Sequence, residues 1–226
     1  MKFLITGTSS GIGKSLYKKL SKDNDVLGLS RRITDTSEYS CDFSNLDNLQ
    51  NICEDITKSH NDINFLILNA GTLGEIEKAR ELNIDEIKRV FDINVFSNKI
   101  IIDHCLKNCS SLKYVLAISS GAAFKGYDGW ASYCMTKSSF VQMIKCYAIE
   151  NRKVKFISLA PGVIRTKMQD KIINLSEEKF SSISKFKKLY DSIPTPDDMS
   201  EKFIKNFETI INIKSGDFFD MREIDD

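Results

Sequence analysis

The chain has 226 residues, of which 42% are hydrophobic and 28% charged, with a formal net charge of +1. So even a balance sets up no strong field for nucleic acid or an anionic membrane surface, and neither partner is expected. The length suits one domain, residues 1–226, and no apolar run is long enough for a secretory leader or a membrane span, so a cytoplasmic location is expected.

The chain is organised around its first fourteen residues. A short apolar run, Phe3-Leu4-Ile5, meets a turn containing Gly7, Gly11 and Gly13, and a helical pattern follows in Ile12, Leu16 and Leu20. Gly7 suits a tight turn, Gly11 lets the main chain approach a pyrophosphate, and Gly13 lets the helix pack closely on the strand. Amides at such a helix start face an anion. The Gly-x-x-x-Gly-x-Gly spacing differs from the common dinucleotide fingerprint, and an ordinary glycine turn after a buried strand is the alternative.

Residues 26–30 form a second strand that ends in Ser30-Arg31-Arg32; residues 34–40 are polar, and a brief segment reaches Cys41-Asp42-Phe43. Leu46, Leu49, Ile52, Cys53 and Ile56 mark the next helix, and residues 65–68 a buried strand closed by Asn69-Ala70-Gly71. A long helical region covers residues 85–107 and carries Asn94 in its middle. A strand at 114–118 precedes Ser119 and Ser120, residues 130–150 are helical, and the strand at 154–159 closes on Ala160-Pro161-Gly162. Residues 165–196 are polar, lysine-rich and weakly periodic, which fits a substrate lid or a surface helix pair packed on the sheet edge. A last helix is expected over 197–213 and a short strand over 216–220. Strands alternating with helices read as a parallel sheet covered on both faces.

Six cysteines and two histidines are scattered without a Cys-x-x-Cys pair. Cys105 and Cys109 lie one helical turn apart beside His104, but they read as small apolar core residues, and no metal site is expected.

Tyr133 and Lys137 are four residues apart on one helix, so both project from one face. A nearby ammonium favours the phenolate and would lower the tyrosine pKa from its usual value of about 10. Ser120 stands at a strand end, where open parallel sheets place their ligand crevice and a hydroxyl can donate to a carbonyl oxygen.

With these residues in view the chain resembles the short-chain dehydrogenase/reductase family over nearly its whole length. The matches are the 6–13 turn, Asp42, Asn69-Ala70-Gly71, Asn94, Ser120, Tyr133 with Lys137, and Pro161-Gly162 with Thr166. The resemblance implies an α/β doubly wound Rossmann fold, a seven-stranded parallel sheet flanked by helices on both faces. It implies that Tyr133 is the general acid or base, that Lys137 lowers its pKa and holds the nicotinamide ribose, and that Ser120 fixes the substrate carbonyl. Asn94 would hold a water that links Lys137 to solvent, Asp42 would bind the adenine amine, and Thr166 would hold the carboxamide. The implied cofactor set is Gly7, Ser9, Ser10, Gly11, Ile12, Gly13, Ser30, Arg31, Arg32, Asp42, Phe43, Asn69, Ala70, Gly71, Tyr133, Lys137, Pro161, Gly162, Val163 and Thr166. Two departures are Ser97, where the family often has glycine, and a tail that lacks the usual Asp-Gly-Gly ending, which leaves assembly as a homodimer or homotetramer open.

The cofactor follows from charge. An acid at the end of the second strand would accept from both ribose hydroxyls of NAD, whereas Ser30-Arg31-Arg32 suits a 2′-phosphate, so NADP(H) is expected with Arg31 as its principal reader. The expected activity is NADPH-dependent reduction of a small ketone, aldehyde or dicarbonyl, with a finer similarity to benzil, sepiapterin and carbonyl reductases. Alternatives are oxidation of a secondary alcohol by the same residues, or an NADP(H)-binding regulatory or scaffold protein without turnover. The substrate, a small carbonyl or alcohol, is expected to meet Ser120, Phe124, Trp130, Tyr133 and Met168, with Phe180, Phe186 and Tyr190 as further candidates for an apolar or aromatic pocket, although these side chains could equally be core.

Overall fold

The computed structural model describes residues 1–224. Strands β1 (Lys2–Thr6), β2 (Asp25–Ser30), β3 (Glu38–Ser40), β4 (Phe65–Leu68), β5 (Tyr114–Ile118), β6 (Lys155–Ala160) and β7 (Phe218–Asp220) pair in parallel in the order β3-β2-β1-β4-β5-β6-β7. The sheet is doubly wound, and its order reverses between β1 and β4.

Period-two alternation puts apolar side chains on both faces of the sheet. Leu4, Leu66, Leu68, Val115 and Phe156 face helices α2 (Leu46–Ser59), α4 (Ser97–Asn108) and α5 (Ala131–Glu150). Phe3, Ile5, Phe65, Ile67 and Leu116 face α1 (Gly11–Leu20), α8 (Pro196–Lys205) and α9 (Phe207–Asn212). Cys105 and Cys109 are buried in the first of these clusters. Among the described residues no three metal-ligating side chains come together, and no helix is long and apolar enough to cross a membrane.

Three elements differ from the sequence expectation. The region around Asn94 is α3 (Ile84–Phe91) running into α4 through a π-turn, Asp92–Phe96. The last helical stretch breaks at Asn206 into α8 and α9. The third strand is Glu38–Ser40, inside the polar stretch, because a three-residue edge strand shows no apolar run and turns a carboxylate rather than a hydrophobe inward.

At the reversal point the Thr6 hydroxyl accepts from the backbone amides of Asn69 and Ala70, each at 2.9 Å, and the Asn69 side chain donates through Nδ2 to the Thr6 carbonyl at 3.0 Å. Those bonds lock the ends of β1 and β4 into one wall, the usual place for a ligand crevice in an open α/β sheet. Gly13 packs against this wall. A Cβ there would lie 2.3 Å from Asn69 Nδ2 and 2.4 Å from the Gly7 carbonyl oxygen. Gly13→Ala is therefore expected to cost about 1–3 kcal/mol of stability through overpacking, read as a lowered denaturant midpoint at unchanged slope.

Candidate active site

One cleft of about 560 Å³ runs across the C-terminal ends of the strands, from the Arg31 and Arg32 loop past the glycine turn to Tyr133 and Lys137. It is lined by Gly7, Ser9, Ser10, Gly11, Ile12, Ser30, Arg31, Arg32, Asp42, Phe43, Asn69, Ala70, Gly71, Ser120, Trp130, Tyr133, Lys137, Pro161, Gly162, Val163, Thr166 and Met168. Three residues named from the sequence do not line it: Gly13, Asn94 and Phe124.

The glycine turn has the conformation its residues allow. Gly7 has φ +76 and Gly11 φ +59, both in the left-handed region that favours glycine. Ser10 precedes α1 without making a side-chain cap, and the first turn of α1 contains no acid. The helix start therefore keeps its unpaired amides for an anion. The nearest atom to a Cβ on Gly11 is the Thr166 methyl at 3.5 Å, so the main chain is open to close approach by a ligand. These features fit the pyrophosphate of a nicotinamide dinucleotide.

At the far end, Arg31 and Arg32 are exposed, and Asp42 is held below the usual carboxylate range by bonds from the Ser44 amide and hydroxyl, with Arg31 and Arg89 adding to the effect. The Ser30 hydroxyl donates to the Arg32 carbonyl at 2.7 Å. Ser30 thus shapes the turn, and its proton is already used; the guanidinium groups are the donors left for a phosphate. Arg89 also lines this end and pairs with Glu86 through two 2.7 Å bonds. Sequence reasoning missed Arg89 because it comes from α3, and no spacing within that helix marks it.

At the other end α5 brings Tyr133 and Lys137 to the cleft, and the end of β5 brings Ser120. The Lys137 ammonium donates to the Ile118 carbonyl at 2.9 Å and lies 5.7 Å from the Tyr133 ring centroid. Here the expected lowering of the Tyr133 pKa is not found. Burial pushes the phenol up to about 12, while the Ser120 hydroxyl pulls it down. Burial also holds Lys137 down, to about 8. The reason is that the ammonium is turned to a backbone carbonyl and both groups are deeply buried, so desolvation outweighs their mutual effect.

Asn94 lies behind this end rather than in it. Its Oδ1 accepts from the Thr72 amide at 2.8 Å, and its Nδ2 donates to the Thr72 carbonyl at 2.9 Å and to Thr136 Oγ1 at 3.0 Å. The side chain thus ties the segment after β4 to α5. A Cβ on Gly71 would lie 3.3 Å from Asn94 Oδ1, a tight approach, and 3.8 Å from Lys137 Nζ, an ordinary contact. Ser97 fits its buried place by donating to the Ile93 carbonyl at 2.7 Å.

The apolar wall is built from Trp130, stacked on Phe186 at 4.9 Å and tilted against Tyr127 at 4.9 Å, with Tyr133 edge-on at 6.2 Å. Phe186 comes from α7 (Ile183–Leu189), and Met168 from α6 (Lys167–Ile173). From residues 165–196, Ile172, Phe180, Ile183 and Phe186 share one buried cluster with Trp130 and Tyr133. Phe124, expected at the substrate, does not reach it. It is 59% exposed and packs edge-on against Phe218 at 4.7 Å, outside the cleft, because the Gly121–Ala123 turn carries it to the outer surface. Phe180 is buried core against Gly129.

Residues 2–176 match the family model described as short chain dehydrogenase. The chain belongs to the short-chain dehydrogenase family. Among curated relatives, the benzil reductase ((S)-benzoin forming) of Bacillus subtilis (strain 168) is 30% identical over 240 residues, covering 98% of each chain. A benzil reductase of Saccharomyces cerevisiae is 30% identical over 193 residues, covering 75% of this chain and 73% of the relative. Among solved structures, a yeast short chain dehydrogenase/reductase superposes with TM-score 0.86 at 24% identity, covering 98% of this chain and 96% of the other. Another, from Shigella flexneri and complexed with NADP, gives TM-score 0.81 at 19% identity over 98% of this chain and 96% of its own. The family is one of oxidoreductases that act between CH–OH and C=O, and the expected fold and resemblance are those of this short-chain dehydrogenase.

Proposed function

We propose that this short-chain dehydrogenase reduces a small ketone, aldehyde or dicarbonyl with NADPH. The observation that carries the proposal is one continuous cleft with Ser120, Tyr133 and Lys137 at one end and the guanidinium groups of Arg31 and Arg32 at the other. A nicotinamide dinucleotide bound along it supplies the hydride. Ser120 donates to the substrate carbonyl and fixes its orientation, and Tyr133, protonated at neutral pH, delivers the proton to that oxygen. Lys137 holds the ribose hydroxyls and favours the phenolate left behind. Arg31 reads the 2′-phosphate, Asp42 the adenine amine and Thr166 the carboxamide.

Trp130, Tyr127, Phe186 and Met168 make the substrate end apolar and largely aromatic, which favours aryl carbonyls. The relatives that reduce benzil, a vicinal diaryl diketone, support the same class. The test is NADPH oxidation by the purified protein against aryl ketones, aldehydes and vicinal diketones. No tyrosine-dependent turnover on any of them would remove the reading.

The pKa order predicts the pH profile of reduction. The reaction needs the Lys137 cation and the Tyr133 phenol, and the lower of the two limits, at about 8, belongs to Lys137. Below it both are protonated; above it the ammonium is lost, so kcat/KM for reduction is expected to fall about tenfold per pH unit. Initial rates from pH 6 to 10 check this, and a flat profile to pH 10 would contradict it.

A further inference from the structure

We propose that Glu38 is the positioning residue that fastens the loop bearing Arg31 and Arg32 to the phosphate turn, and so makes the cleft discriminate a 2′-phosphate. The proposal rests on the NADP(H) reading above and adds a residue that touches neither cofactor nor substrate.

Glu38 opens β3 and is only 6% exposed. Its carboxylate accepts from Thr8 Oγ1 on one side. On the other it accepts from the Thr34 amide, from Thr34 Oγ1 at 2.8 Å and from the Asp35 amide at 3.3 Å. Thr8 belongs to the glycine turn, whereas Thr34 and Asp35 belong to the loop between β2 and β3 that begins with the two arginines. One buried carboxylate therefore joins the part of the cleft suited to a pyrophosphate to the part suited to a 2′-phosphate.

Two further features fit this role. Residues 31–37 are all exposed, so hydrogen bonds and not packing hold the loop; bonds to the Arg32 and Ser37 carbonyls tie it to β2, and its second side-chain fastening beyond β2 is Asp35, whose two oxygens accept from the Tyr17 hydroxyl of α1 at 2.7 Å. Both fastenings lead back to the segment that forms the turn and its helix. Gly28, paired with Glu38 across β2 and β3, makes the room: a Cβ there would lie 2.8 Å from Glu38 Cγ and 3.0 Å from Thr8 Oγ1. The glycine inside a central strand is explained by the side chain it admits.

A carboxylate near a phosphate site would by itself repel the ligand. Here its charge is taken up by donors: burial raises the Glu38 pKa, but the bonds from Thr8, Thr34 and Asp35 outweigh burial and keep it below the usual value. Ionised and saturated, it organises donors instead of presenting charge to the cleft.

The test is calorimetric titration of the purified protein with NADPH and with NADH, for the wild type, Glu38→Gln, Glu38→Ala and Gly28→Ala, each with its thermal midpoint. Glu38→Ala is expected to raise the NADPH Kd about tenfold, the scale of losing hydrogen bonds to a charged group, and to leave the NADH Kd within about twofold. Gly28→Ala is expected to do the same with the carboxylate still present, and Glu38→Gln to fall between, with kcat at saturating NADPH unchanged throughout. Equal loss for both cofactors would reduce Glu38 to a fold-stability residue and overturn the proposal. Tighter NADPH binding by Glu38→Gln would also overturn it, since the charge would then be a repeller. If Glu38→Ala does not fold, the isosteric Glu38→Gln decides. A wild type that binds both cofactors equally would instead defeat the NADP(H) reading itself.

Discussion

Tyr133→Phe is expected to lower kcat for carbonyl reduction by about 10²- to 10⁴-fold, the range for removing a general acid, while NADPH affinity changes little. The substitution deletes one hydroxyl and keeps the ring, which stays packed edge-on to Trp130 at 6.2 Å, so neither the helix nor the cleft wall has reason to move. Single-turnover rates with a diketone, alongside NADPH titration, separate chemistry from binding. A variant that kept full turnover would mean that the proton comes from elsewhere. The buried phenol, held up to about 12, makes the wild-type group a proton donor throughout the neutral range, and its loss should appear at every pH tested.

The second large effect is expected at Arg31. Arg31→Ala should weaken NADPH binding by roughly 10- to 100-fold, the worth of a charge-assisted bond to phosphate, and should leave NADH binding nearly unchanged. Because Arg31 is exposed, the wild-type preference for NADPH should shrink as salt is raised from low to high ionic strength, and the variant, left with Arg32, should show a weaker dependence. Matched titrations at two salt concentrations check both statements. Equal loss for the two cofactors would show that Arg31 does not read the 2′-phosphate. Arg31→Ala and Glu38→Ala act on the same loop, one removing the donor and the other its support, so their effects on NADPH should fall well short of additive.

The sequence by itself determined every strand but β3, the glycine turn, and most of the candidate residues that the fold brings to the cleft. Each is a local matter: apolar runs such as Phe65 to Leu68 record burial on both faces, Gly7 and Gly11 record backbone angles, and Tyr133 with Lys137 records one helical turn. Ser120, Tyr133 and the Arg31 loop were legible because each stands at a strand end or on a single helix face.

What tertiary structure alone decided are the properties that depend on which elements meet. Arg89 joins the Arg31 end of the cleft from α3, marked by no local period. Phe124, aromatic and close in sequence to Ser120, is exposed and packs on Phe218 outside the cleft, a contact with β7 that no local pattern announces. A polar stretch conceals an edge strand whose Glu38 turns inward, which only pairing opposite Gly28 makes possible. Four residues of spacing bring Lys137 beside Tyr133, but burial among several elements shifts both pKa values, and the ammonium donates to the Ile118 carbonyl. Sequence spacing fixes direction within one element; desolvation and partner choice are set by atoms from several elements, and those follow only from the order in which the sheet brings them together.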